Sequence, residues 1–138
     1  MRILNTTRGN KSALSLVAGI ALWTVFLNAI LVSHTGQAQD AAHGKELFEK
    51  RCVGCHALDT EKEGPRLRGV YGRTSGTVPS FKYSDALKNA RITWDDQSLD
   101  KWLTDTEKLV ANNDMAFQVG NADERRQIIA YLKQLSRR

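Results

Sequence analysis

The 138-residue chain is short of the side chains that build crosslinked or metal-clustered proteins: it has two cysteines, three histidines and two prolines. Two cysteines lying close together exclude a multi-disulfide scaffold. Acid is absent from the first 38 residues, which hold three basic groups, Arg2, Arg8 and Lys11. Without them the chain keeps 17 basic and 15 acidic groups, so its formal charge falls from +5 to +2. Nucleic acid is therefore not expected as a partner. Strand alternation is missing as well. The roughly 100 residues that follow make one small domain and leave no room for a second.

What the acid-free stretch does contain is a long apolar run. From Ala13 to Val32, 16 of 20 residues are apolar, interrupted by Ser15, Gly19, Thr24 and Asn28. A basic start, an apolar middle and a small-residue exit ending in Gly36-Gln37-Ala38 describe a secretory signal peptide over residues 1–38. Cleavage after Ala38 would leave residues 39–138 as the mature domain, found in the periplasm. The run is also long enough to span a bilayer. If it were kept, residues 39–138 would be membrane-anchored and face the same compartment.

Directly after this leader comes Cys52-Val53-Gly54-Cys55-His56, the C-x-x-C-H pattern of c-type haem attachment. The spacing suits the chemistry. Two thiols three residues apart on one helical turn each add to a vinyl group of the same porphyrin, and the adjacent His56 falls under the iron as proximal ligand. A domain of this size has a thin core and gains from a buried cofactor. Rival uses fit less well. A dithiol redox site should follow a strand in a βαβ unit, whereas residues 41–51 look helical. Zinc needs four ligands, and the remaining histidine of the exported part is His43. A disulfide across two residues closes a trivial loop and stabilises little.

The rest of the domain reads as helices and loops. Gly44, Phe48 and Cys52 share one face, so residues 41–54 are expected to be helical. Residues 57–82 are rich in Gly and Pro and form a long loop, the kind that packs on something other than its own chain. Residues 83–90 form a short helix. Leu99, Trp102 and Leu103 make an i, i+3, i+4 stripe, and Asp95 and Asp96 an acidic first turn, for a helix over 95–104. A polar loop over 111–120 holds Met115. Asn121 and Glu124 start the last helix in the manner of a capping box, Ile128, Leu132 and Leu135 form its apolar face, and Arg137 and Arg138 suit its end. The fold is small and all-α.

With these segments in order, the chain resembles a class I c-type cytochrome, of the group that includes mitochondrial cytochrome c and its bacterial relatives. The resemblance spans nearly all of residues 41–135. It is carried by Gly44 and Phe48, the C-x-x-C-H motif, Gly64-Pro65, Tyr71-Gly72-Arg73, Phe81-Lys82-Tyr83, Ile92-Thr93-Trp94, Met115-Ala116-Phe117 and Ile128-Ile129-Ala130-Tyr131-Leu132. It implies an all-α cytochrome c-like domain whose N- and C-terminal helices cross around one covalently bound haem c. Cys52 and Cys55 would carry the thioethers, with His56 and Met115 as axial ligands. The Pro65 carbonyl would accept the His56 ring N–H. Tyr83 and Trp94 would hydrogen-bond a haem propionate, with Arg73 nearby. Gly44 and Phe48 would pack on Ile128 and Tyr131.

The sequence also departs from that family. Thr106 and Ala111 stand where relatives usually carry proline, Asn112 where glycine is common, Leu87 where asparagine is usual, and Arg66 replaces a smaller polar residue. Losing two prolines is expected to loosen the Met115 loop.

The function implied is carriage, not catalysis: a monomeric one-electron carrier between exported redox partners of a respiratory chain, such as a reductase complex and a terminal oxidase. Membrane association depends on the leader being kept. A haem enzyme or gas sensor with an open sixth site would need Met115 displaced and a distal acid–base pair, and no histidine follows His56.

Overall fold

The computed structural model describes residues 36–137. The expected leader lies outside the described residues up to position 35, as does Arg138, while residues 36–38 belong to the first helix. Among the described residues, no helix is long and apolar enough to cross a membrane.

Helix α1 covers described residues 36–51. It stops at Arg51, three residues before the expected end. The C-x-x-C-H segment follows as turns that keep the helical bonding direction: the Cys52 amide donates to the Phe48 carbonyl at 2.8 Å and the His56 amide to the Cys52 carbonyl at 2.8 Å. Residues 57–84 contain neither helix nor strand, apart from an isolated bridge between Thr74 and Thr93. Helix α2, Asp85–Ala90, starts on Ser84, whose hydroxyl accepts the Leu87 amide, and ends at Arg91 with a left-handed φ of 50°.

Helix α3, Asp96–Thr104, is capped by Asp95 and Ser98 in a reciprocal capping box. Asp95 is therefore the cap and not the first turn, satisfying donors that would otherwise be orphaned. A helix unexpected from the sequence, α4, covers Thr106–Leu109 and is capped by Asp105. Helix α5, Ala122–Gln134, begins on Asn121, whose side chain accepts the Asp123 and Glu124 amides. The Glu124 side chain does not complete a box; it pairs with Arg51 at 2.7 Å, tying α5 to the end of α1.

Helix α3 packs against α4 and α5. Helix α1 meets α5 at Gly44, where an added Cβ would lie 1.9 Å from the Gln127 carbonyl oxygen. Glycine is what lets the two backbones approach. One turn on, the Phe48 and Tyr131 rings meet with centroids 5.5 Å apart, and both are buried. These contacts feed a core that includes Trp94, Leu99, Trp102, Val119, Ile128 and Leu132. The expected all-α, crossed-helix architecture is the one observed.

Candidate functional site

A cavity of about 420 Å³ opens into this core. Interiors are otherwise close-packed, and a space of this size is that of a cofactor site. Its wall contains all seven residues singled out in the sequence: Cys52, Cys55, His56, Arg73, Tyr83, Trp94 and Met115.

His56 is held by its own loop. It is buried, and its Nδ1 lies 2.8 Å from the Pro65 carbonyl oxygen. A carbonyl can only accept, so Nδ1 carries the proton and Nε2 keeps its lone pair. Burial pulls the imidazole below its ordinary pKa, the Pro65 bond opposes this, and Lys62 adds to it. The neutral form, which is the one that binds metal, is thus favoured. Gly64 packs flat on the ring: a Cβ there would sit 2.2 Å from His56 Cε1. The loop closes by backbone bonds from Gly64 to Cys55, Leu67 to Ala57 and Arg68 to Leu58, of 2.8–3.0 Å.

Both cysteines are free of disulfide; Cys52 is half-buried and Cys55 exposed. Burial pushes the Cys52 thiol up to about 11, Arg51 opposing and Cys55 adding to the shift. The unmodified sulfur therefore stays protonated at neutral pH.

Three polar donors share the cavity wall. Burial lowers the pKa of the Arg73 guanidinium, Tyr83 opposing, and Arg73 is anchored by a 2.9 Å bond to the Arg66 carbonyl. Burial raises the Tyr83 phenol, Arg73 opposing, so it remains a neutral donor. Trp94 is buried and stacks obliquely on Trp102 at 5.4 Å. Its backbone fixes it beside Arg73, since the Gly72 amide donates to the Trp94 carbonyl at 2.7 Å and the Trp94 amide to the Arg73 carbonyl at 3.0 Å.

Met115 is half-buried, and its backbone is held by side chains. Its amide donates to Asn113 Oδ1 at 2.7 Å, and its carbonyl accepts from Thr106 Oγ1 at 2.5 Å. The loop lacks the two prolines and is held instead by side-chain ties. Thr106 is almost fully buried and acts as a tie. Asn112 has φ 61°, a left-handed conformation that glycine or asparagine adopts at least cost. These contacts of Thr106 and Asn113 were not legible in the sequence, because only loop closure creates them.

The donor set fits a haem. An apolar wall (Leu67, Val70, Leu99, Trp102, Leu103, Phe117) accompanies one imidazole and one thioether, two cysteines line the same cavity, and three hydrogen-bond donors suit carboxylates.

Known proteins agree. The family model for cytochrome c matches residues 41–136. Cytochrome c of Euglena viridis is 50% identical over 99 residues, covering 70% of this chain and 97% of that one. Cytochrome c2 of Blastochloris viridis is 40% identical over 104 residues, covering 72% and 80% respectively. Among solved structures, cytochrome cH from Methylobacterium extorquens matches with a TM-score of 0.65 and 38% identity, covering 68% of this chain and 97% of that one. The chain belongs to the cytochrome c family, electron carriers that hold haem c covalently.

Proposed function

We propose that this cytochrome c is a one-electron carrier of a respiratory chain, using a haem c bound through Cys52 and Cys55 and ligated by His56 and Met115. When bound, the haem supplies an iron that cycles between ferrous and ferric states. The observation that carries the reading is that a neutral, oriented imidazole and a thioether line the same apolar cavity. Thioether ligation and apolar walls both favour the ferrous state and raise the potential. The cavity donors Arg73, Tyr83 and Trp94 are assigned to the propionates. His56 and Met115 would both hold the iron, which would leave no position for substrate.

The partners proposed are redox proteins such as a reductase complex and a terminal oxidase, met in the periplasm after removal of residues 1–38. Visible spectra of the oxidised and reduced protein test the ligand set. A weak band at the red edge, from Met–Fe(III) charge transfer, is expected in the oxidised form. Mass analysis of native protein tests the leader: a chain starting at Gln39 plus one haem is expected, whereas a full-length chain needing detergent for release would make it a tethered carrier.

A further inference from the structure

The Met115 loop is built unlike the rest of the domain. Among the described residues, no backbone group from Asp114 to Gln118 bonds to another backbone group. The loop is held by three side chains. Thr106, at the first position of α4, donates to the Met115 carbonyl, and its oxygen lies 3.5 Å from the Phe117 amide. Asn113 accepts the Met115 amide and donates to the Val110 carbonyl at 2.9 Å and to Glu107 Oε2 at 3.2 Å. Glu107, also on α4, accepts the Asn112 amide at 2.9 Å. Both polar groups of Met115's own backbone are thus fastened to α4, directly by Thr106 and through Asn113 by Glu107.

Helix α4 is itself a firm base. Asp105 caps it with a 3.0 Å bond from the Lys108 amide, and the Asp105 amide closes α3 on the Lys101 carbonyl. Beyond the loop, the Val119 amide returns to the Leu103 carbonyl at 2.7 Å. A segment with fixed ends and no internal backbone bonds opens when its side-chain ties release, so the frequency of opening is set by those ties.

From this arrangement we infer that Thr106, Asn113 and Glu107 are positioning residues that hold Met115 in the cavity wall and set how often the sixth iron position opens to outside ligands. The inference rests on Met115 being a ligand. Thr106 carries the largest share, because it is buried and its removal leaves the Met115 carbonyl without its partner. Glu107 acts at one remove, from the exposed side, and carries less.

The experiment uses the haem-loaded ferric protein, with cyanide as probe. Thr106→Val keeps the shape and removes the hydroxyl. It should speed cyanide binding about tenfold, the equivalent of about 1.4 kcal/mol, and weaken the Met–Fe(III) band before the helices unfold on heating. Thr106→Ser restores the hydroxyl and should return the rate towards wild type. Asn113→Ala should give roughly fivefold and Glu107→Ala roughly threefold, with Glu107→Gln, which keeps an acceptor, close to wild type. A merely structural role would lower helix stability and the band together, with no rescue by serine or glutamine. If Thr106→Val fails to fold, Asn113→Ala and Glu107→Ala decide the matter alone. Wild-type cyanide rates in these variants, with a band that Met115→Ala abolishes, would overturn the brace and leave the ligation standing. Absence of the band from the wild type would overturn the ligation itself, and the brace with it.

Discussion

The two sides of the cavity are held in place by different means. On the His56 side the chain is fastened by its own backbone: the C-x-x-C-H turn grows out of α1, three amide–carbonyl bonds close residues 55–68 on themselves, and the imidazole is oriented by the Pro65 carbonyl. On the Met115 side the equivalent bonds come from a hydroxyl, an amide and a carboxylate. Backbone bonds survive most substitutions; side-chain bonds do not. The difference therefore separates a position that most sequences compatible with the fold would keep from one that each sequence must secure for itself. On the proposed ligand set, the affinity of the iron for Met115 would be adjustable without disturbing His56.

The largest effect is expected where the His56 side depends on the smallest side chain of all, the hydrogen of Gly64. A Cβ at 2.2 Å from Cε1 cannot be accommodated by a flexible neighbour, because the ring is pinned between Pro65 and the loop. Gly64→Ala should destabilise by about 3 kcal/mol, the upper range of overpacking, and lower the yield of haem-loaded protein. Urea unfolding and haem content per chain measure both. A near-wild-type alanine variant would show that the His56 side is more compliant than its bonding implies.

Removing Met115, the second proposed ligand, should do less to the fold and more to the chemistry. In Met115→Ala, haem should remain attached and His56 should remain bound, since nothing on that side depends on the thioether. The red-edge band should vanish, the reduction potential should fall, and carbon monoxide and cyanide should gain access. Redox titration and ligand-binding spectra check it; an unchanged potential would exclude Met115 as ligand.

How much of this was legible in the sequence follows the same division. The His56 side is written locally: Cys52, Cys55 and His56 lie within five residues, and Gly64-Pro65 follow closely, so spacing alone points to the chemistry. The helix crossing was legible only through the family resemblance that Gly44 and Phe48 help to carry, and α5 through Asn121. Helix α4 was not, because four residues carry no period. Thr106 read only as a missing proline, since its hydroxyl finds its acceptor nine residues away, and the first position of a helix accepts either residue as far as the backbone is concerned. Glu124 read as half of a capping box because its actual partner, Arg51, is 73 residues distant.

A smaller test bears on Asn112, the one residue of the Met115 loop in a left-handed conformation. Asn112→Gly should leave stability within about 0.5 kcal/mol of wild type, whereas Asn112→Ala should cost about 1 kcal/mol, because a Cβ at φ 61° crowds the following carbonyl. Thermal unfolding of the two variants side by side gives the comparison. Equal stabilities would mean that the loop relaxes to another conformation, and so that its side-chain ties are weaker than their geometry.

The smallest effect concerns one of the side-chain ties that the His56 side does possess. Glu61 accepts from Ser80 Oγ at 2.8 Å and from Arg66 Nη1 at 2.7 Å, joining two stretches of the loop over residues 57–84. The Ser80 hydrogen bond, opposed by desolvation and assisted by Arg66, holds the Glu61 carboxyl below its ordinary pKa. A carboxyl depressed on folding stabilises at pH values above its unfolded pKa, near 4.3, and that stabilisation disappears as pH falls through the lower folded value. The group is at the surface, so the contribution is small and screened by salt. Glu61→Gln should therefore match wild type at low pH and fall slightly below it at neutral pH, giving a shallower acid limb. Urea midpoints from pH 3 to 7 at low ionic strength should reveal the gap opening above about pH 4. The same scan should leave the Met–Fe(III) band unaffected by the Glu61 substitution, since Glu61 shares no bond with the Met115 loop; a band that moved with Glu61 would mean that the two sides of the cavity are coupled after all.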